Sequence, residues 1–440
     1  MTLPASLLLV LHVTRPCFTK HSFETFCHLV AGMVAQTGRR TVTGMVAQTG
    51  RRTVTGMLTG AGLSRLWPHR RAHAFFSEAS WDPDRLGLRL ARAVVEALLP
   101  ADAPIAVVVD DTLLHRAGKK IFGVLWAHDG SGRGKDKLGF GNTWVICAIV
   151  VRLPFLTRPI ALPVAARLWR GKGTASRTDL ALQMVHDLAA LFPDRTVHVT
   201  GDAAYHSIKV ADLPGTVTFT TRLPRNAALF EPTPPRTDKR GRPRKKGAAL
   251  GSLIAIAEAA TWRLSVVERY GRTEFVWITE LECLWYGAFK DLPVRLVLVH
   301  DLDSTNPYDL ALVSTDHIST ADDLVERYGT RWPIESTFEH MRGHLGVGQA
   351  RNRTRRAVER TVPFGLAVYT IVVLWYAAHS HHPADIADRR TRQPWYTTKA
   401  TPAFSDMVAK LRRTIIVARH IRNPAGQPGP EEIAAVVRAW

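Results

Sequence analysis

The sequence predicts an α/β fold: a mixed sheet flanked by helices, with a β-rich insertion and a helical N-terminal region. Three observations carry this. Short apolar, β-branched runs at 105–111, 142–151, 196–202 and 216–222 read as buried strands. Between them, 178–192 places apolar residues at helical spacing. Two later segments, 261–281 and 294–316, alternate and turn in the manner of hairpins.

Residues 1 to about 100 read as mainly helical and carry 12 Lys/Arg against 5 Asp/Glu. The apolar opening PASLLLVLHV has no preceding Lys or Arg and no small-residue cleavage site after it, so a core helix is expected. A tandem repeat follows: GMVAQTGRRTVT occupies 32–43 and again 44–55. Two copies of period 12 are too short for a solenoid. A duplicated basic turn in a DNA-binding helical region and a tolerated insertion are both compatible with it.

The first strand, IAVVVDD, ends in Asp110 and Asp111; a further strand-like run follows at 120–128, and TVHVTGD ends at Asp202. Two strands thus deliver carboxylates to the sheet edge where α/β folds place their sites. The insertion opens with a Pro-rich stretch holding seven Lys/Arg, whose centre is Gly241-Arg242-Pro243-Arg244. Arg242 and Arg244 on a Pro-fixed extended backbone suit a narrow minor groove. A basic linker without sequence preference has the same composition.

Residues 328–342, YGTRWPIESTFEHMR, set Tyr328, Arg331, Glu335 and Arg342 along one helical side. Pro333 is tolerated only in a first turn, so the helix carrying Glu335 is expected to start there, with Tyr328 and Arg331 before it. The plain alternative is an i,i+4 charge pair between Arg331 and Glu335. Further on, 349–361 holds 5 Arg against one Glu. The apolar run Val362 to Ala378 is 17 residues long, at the lower bound for a membrane span, and reads as a buried helix. Residues 381–440 read as helical without a legible role.

Charge narrows the function classes. With 58 Lys+Arg against 38 Asp+Glu the chain carries +20. This points to a polyanion, nucleic acid first, since phosphate contacts release counterions; Arg-rich codon usage would produce the same excess. The four cysteines are scattered and form no C-x-x-C pair, which fits a reducing compartment. Asp110, Asp202 and Glu335 together offer the hard oxygen ligands that Mg²⁺ prefers, with Mn²⁺ as a substitute; two such ions support in-line phosphoryl displacement. Arg331 and Arg342 are forked phosphate donors. Asp111 competes with Asp110, but alternate strand residues face opposite ways. Asp316 is a rival acid without a motif. His340 and His344, at i,i+4 without H-E-x-x-H, read as solvated helix histidines.

On these residues the chain resembles bacterial insertion-sequence transposases of the DDE type, in the group marked Y-x2-R-x3-E-x6-K. The resemblance rests on Asp110-Asp111-Thr112, on Gly201-Asp202-Ala203-Ala204-Tyr205 and on Tyr328 to Phe338, and spans roughly 105 to 380. It implies an RNase H-like core in two parts, 101–222 and 326–380, around the 223–325 insertion, with a DNA-binding domain at 1–100. It further implies metal binding by Asp110, Asp202 and Glu335, and phosphate contacts from Tyr328, Arg331 and Arg342, the last standing where the family has lysine. Trp332 would stack on a base or pack in the core. The implied activity is metal-dependent cleavage at terminal inverted repeats and strand transfer into target DNA, by a homodimer at the bacterial nucleoid, in the cytoplasm and away from membranes. Hairpin formation at the element end is a further implication. A catalytically impaired relative that only occupies the repeats is the rival reading.

Overall fold

The computed structural model describes residues 3–36, 53–130, 137–235, 244–395 and 397–421. The N-terminal region is helical as expected: α1 (Ala5–His12), α2 (Lys20–Ala35), α3 (Val54–Gly60), α4 (His69–Ser77) and α5 (Pro83–Leu98). Their starts follow local chemistry. Thr19 and Ser22 form a reciprocal cap on α2, and Asp82 caps α5 with Pro83 at its first position. The repeated segment runs from the end of α2 into the start of α3; its residues 37–52, with all four repeat arginines, lie outside the described residues.

The sheet begins with β1 (Ile105–His115), β2 (Leu125–His128), β3 (Leu138–Val151) and β4 (Ile160–Trp169). Helix α6 (Arg177–Leu191), β5 (Val197–Gly201) and β6 (Val217–Arg222) complete its first half. β1 pairs antiparallel with β3 and parallel with β5, which pairs parallel with β6. β2 and β4 both line the far edge of β3. The order β4-β3-β1-β5-β6, with helices on both faces, is the RNase H-like arrangement that the resemblance implies.

Two sequence expectations need correction here. The run 120–128 is a strand only from Leu125; the preceding residues turn. β4 was not expected at all, because Pro163 interrupts its pattern. That proline sits at a register shift opposite Cys147 and Ala148, where a missing N–H costs least.

The insertion holds α7 (Leu253–Ala259), β7 (Arg263–Arg269), β8 (Arg272–Cys283), α8 (Tyr286–Phe289), β9 (Val294–Asp301) and β10 (Leu310–Ser314). Tyr270 and Gly271, at φ 54° and 76°, close the β7–β8 hairpin as a tight turn requires. These strands extend the main sheet: β10 pairs with β6, giving ten strands in all among the described residues. Arg242 lies outside the described residues; Arg244 is exposed.

The chain ends its described part with α9 (Ala321–Gly329), α10 (Pro333–Leu345), α11 (Arg355–Trp375), α12 (Asp385–Arg392) and α13 (Phe404–Ile421). α11 carries the apolar run. It belongs to a helical stretch long and apolar enough to cross a membrane, yet 89% of that window is buried inside the protein. One hydrophobic core joins α1–α5, α11, α13 and the sheet. A second, smaller one seats α9 on β7–β10. All four cysteines are buried and free.

Candidate active site at the carboxylate end of the central strands

Val109 of β1 lies opposite Gly201 of the parallel neighbour β5. The next residue on each strand is an aspartate, so Asp110 and Asp202 emerge side by side at the same level of the sheet. Asp202 then caps a 3₁₀ turn (Ala203–Tyr205), its Oδ1 accepting from the Ala203 amide at 2.7 Å. Thr221 on β6 donates to the Asp202 carbonyl at 2.9 Å, fixing the strand end.

Strand alternation separates the two acids of β1. Asp110 faces α10: its Oδ2 accepts from Arg331 Nη1 at 3.1 Å. Asp111 faces α6, where Tyr205 Oη donates to one oxygen and Arg177 Nη1 to the other, both at 2.9 Å. Asp111 is therefore committed to holding helix and turn together.

Glu335 sits in the first turn of α10, which starts at Pro333 as the sequence predicts. Arg331, in the short link between α9 and α10, bridges the acids: its Nη2 donates to Glu335 Oε1 at 3.1 Å. Burial works against the Arg331 charge, but Asp110, Tyr328, Asp202 and Glu335 together hold it protonated. Asp110 shows the opposite balance. Burial pushes its carboxyl up to about 7, Arg331 opposes this, and the charges of Asp111 and Asp202 add to it.

The remaining expected residues fall as follows. Tyr328 is buried under α9, its phenol raised first by burial, with Arg331 lowering and Asp202 raising it. Arg342, in the last turn of α10, donates to Thr112 Oγ1 at 3.1 Å and has no carboxylate partner among the described residues. Trp332 is 52% exposed, which excludes the core reading. Asp316 is buried away from this group. Burial alone would raise it, but Ser319, Arg327 and two amides hold it well below the usual carboxylate range. His340 and His344 are half-buried: both pack against Phe404, and His340 also against Tyr369. Sequence reasoning missed Arg177, which holds Asp111.

Among the described residues no three His, Cys, Asp or Glu side chains converge closely enough to share one ion. The donor set nevertheless suits a hard divalent cation. It consists of carboxylates only, the hard oxygen donors such an ion prefers.

The family model of the DDE superfamily endonucleases matches residues 15–279, more than half of the chain, and includes Asp110 and Asp202 but not Glu335. No curated protein matches the sequence. The chain belongs to the DDE superfamily endonuclease family.

Proposed function

We propose that this endonuclease is a DNA transposase that cuts at the ends of a mobile element and joins the freed 3′-hydroxyl to target DNA. The observation that carries the reading is the linked set Asp110, Arg331 and Glu335, with Asp202 leaving the adjacent strand at the level of Asp110. Asp110, Asp202 and Glu335 would hold two Mg²⁺ ions, or Mn²⁺ in their place. Held there, such ions would supply activation of a water or 3′-hydroxyl and charge neutralisation at the leaving oxygen of an in-line displacement.

The chain's own residues do the rest. Arg331 offsets the carboxylates and offers its remaining donor capacity to a phosphate. Arg342, without an acidic partner among the described residues, would hold the backbone next to the cut; as a guanidinium it grips two oxygens where a lysine would grip one. Tyr328, at the end of α9 just before the Arg331 link, would contact the same backbone phosphate. Trp332, exposed beside Arg331, offers a stacking face to a base. The helices α1–α5 and the basic stretch containing Arg242 and Arg244 would bind the terminal inverted repeats, and two copies would bridge two ends.

A joining assay tests this reading. A duplex ending in a pre-cut 3′-hydroxyl, and in parallel the same end left uncut within flanking DNA, are incubated with supercoiled plasmid, protein and Mg²⁺. Covalent joining to the plasmid is expected. Cutting of the uncut end without any joining would instead make the protein a nuclease, and DNA binding without either product would make it a repeat-occupying relative.

A further inference from the structure

The β2–β3 hairpin carries an aromatic pair, Trp126 exposed and Phe140 half-buried, that the proposed cleavage chemistry does not use. Trp126 and Phe140 face each other across the antiparallel pair, with ring centroids 5.5 Å apart. Trp126 is 68% exposed and Leu138, on the same face, 61%. Large apolar groups so exposed on an edge strand mark an interaction surface more often than chance.

Register connects this pair to the carboxylates. Asp110 pairs with Ile146, Thr112 with Trp144 and Leu114 with Asn142. The Arg116 amide then donates to the Phe140 carbonyl at 3.0 Å. Paired residues of antiparallel strands share a face, so Phe140 and Trp126 lie on the Asp110 side of the sheet. Six residues along a strand is roughly 20 Å at ~3.3 Å each. Arg342 contacts Thr112 part of the way along that line.

The surroundings are cationic. Arg116 Nη1 donates to the Gly348 and Ala350 carbonyls at 2.7 and 2.6 Å, docking the arginine-rich segment beside the hairpin. The Phe122 amide donates to the Arg353 carbonyl, and Arg355 stacks over the Phe122 ring. Lys119, Lys120, Arg351, Arg353, Arg355 and Arg356 are all exposed. Of these only Arg355 pairs with a carboxylate, Glu359, among the described residues. Asp129, at the end of the hairpin's first strand, is buried and bound to His115.

We propose that Trp126 and Phe140 stack unpaired bases of a DNA strand whose phosphates are held by the Arg351–Arg356 segment and Lys119–Lys120. Aromatic faces beside lysine and arginine are the composition that binds single strands without sequence preference. A second copy of this chain is a poorer occupant, because it would bring another strongly basic surface against this one. At ~3.4 Å per nucleotide the stacked bases lie about six nucleotides from the cut phosphate. That distance, and only that, rests on the proposed cleavage site.

Binding is measured by fluorescence anisotropy in EDTA, so that a failure to cut cannot influence it. The probes are a blunt duplex and the same duplex with a ten-nucleotide oligothymidine extension on either strand. Wild type is expected to prefer an extended probe by about tenfold, the worth of one or two stacked bases. Trp126→Ala should lose that preference while keeping blunt-duplex affinity, and Trp126→Phe should restore most of it. No preference in wild type, or an unchanged preference in Trp126→Ala, overturns the proposal. A change in sedimentation of Trp126→Ala with DNA binding intact also overturns it, assigning the hairpin to contact between copies.

Discussion

At Asp110, burial first and then the neighbouring charges of Asp111 and Asp202 work against ionisation, while Arg331 and the Asp111 amide work for it. The folded-state value of about 7 lies above the ordinary 3.8, so the folded protein holds a proton here that the unfolded chain has released. Stability from this group is complete below about pH 3.8 and is lost as pH rises through 7. Asp110→Asn stays neutral throughout. Its melting temperature, without divalent cation or DNA, is therefore expected to gain on wild type between pH 4 and 7 and hold the lead above. A gap that does not change with pH would remove the electrostatic account. The placement of Asp110 opposite Asp111 was legible from strand alternation alone. The Arg331 bridge was not, because i,i+4 spacing shows the contact with Glu335 but not the reach across to β1.

Among the elements, the start of α10 was the most legible, set by Pro333; its end, a left-handed cap at Gly346 with φ 65°, came from the structure. β4 was the least, since Pro163 masks the strand while the bulge that tolerates it is visible only in three dimensions. That bulge has a partner. Helix α5 crosses it so closely that a Cβ on Gly87 would lie 1.8 Å from the Val164 carbonyl oxygen. Gly87→Ala must push helix from strand and is expected to destabilise the fold by at least about 1–3 kcal/mol. Urea unfolding measures this; a midpoint equal to wild type would show that α5 does not pack against the bulge. The insertion strands were readable as hairpins, but alternation does not say which neighbour a strand joins. Their continuation of the main sheet through β10 and β6 depends on pairing that no local pattern encodes.

For the whole molecule, composition indicated a nucleic-acid partner and spacing indicated a site assembled from distant segments. β1, β5 and α10 carry the three acids, and the sheet order brings the first two strands together. The α9–α10 link adds the guanidinium that ties the third acid to the first. The core that supports this runs unbroken from α1 to α13, so the DNA-binding and cutting functions proposed here share one framework. The most direct measurement is single-turnover cleavage of duplex carrying the element's end in Mg²⁺, with affinity for that duplex followed in parallel. Wild type is compared with Asp110→Asn, Asp202→Asn and Glu335→Gln. Cleavage by wild type, its loss by at least about a hundredfold in each variant, and undiminished DNA affinity are expected. Cleavage that survives in any one of the three would contradict the assignment of these carboxylates to a single centre.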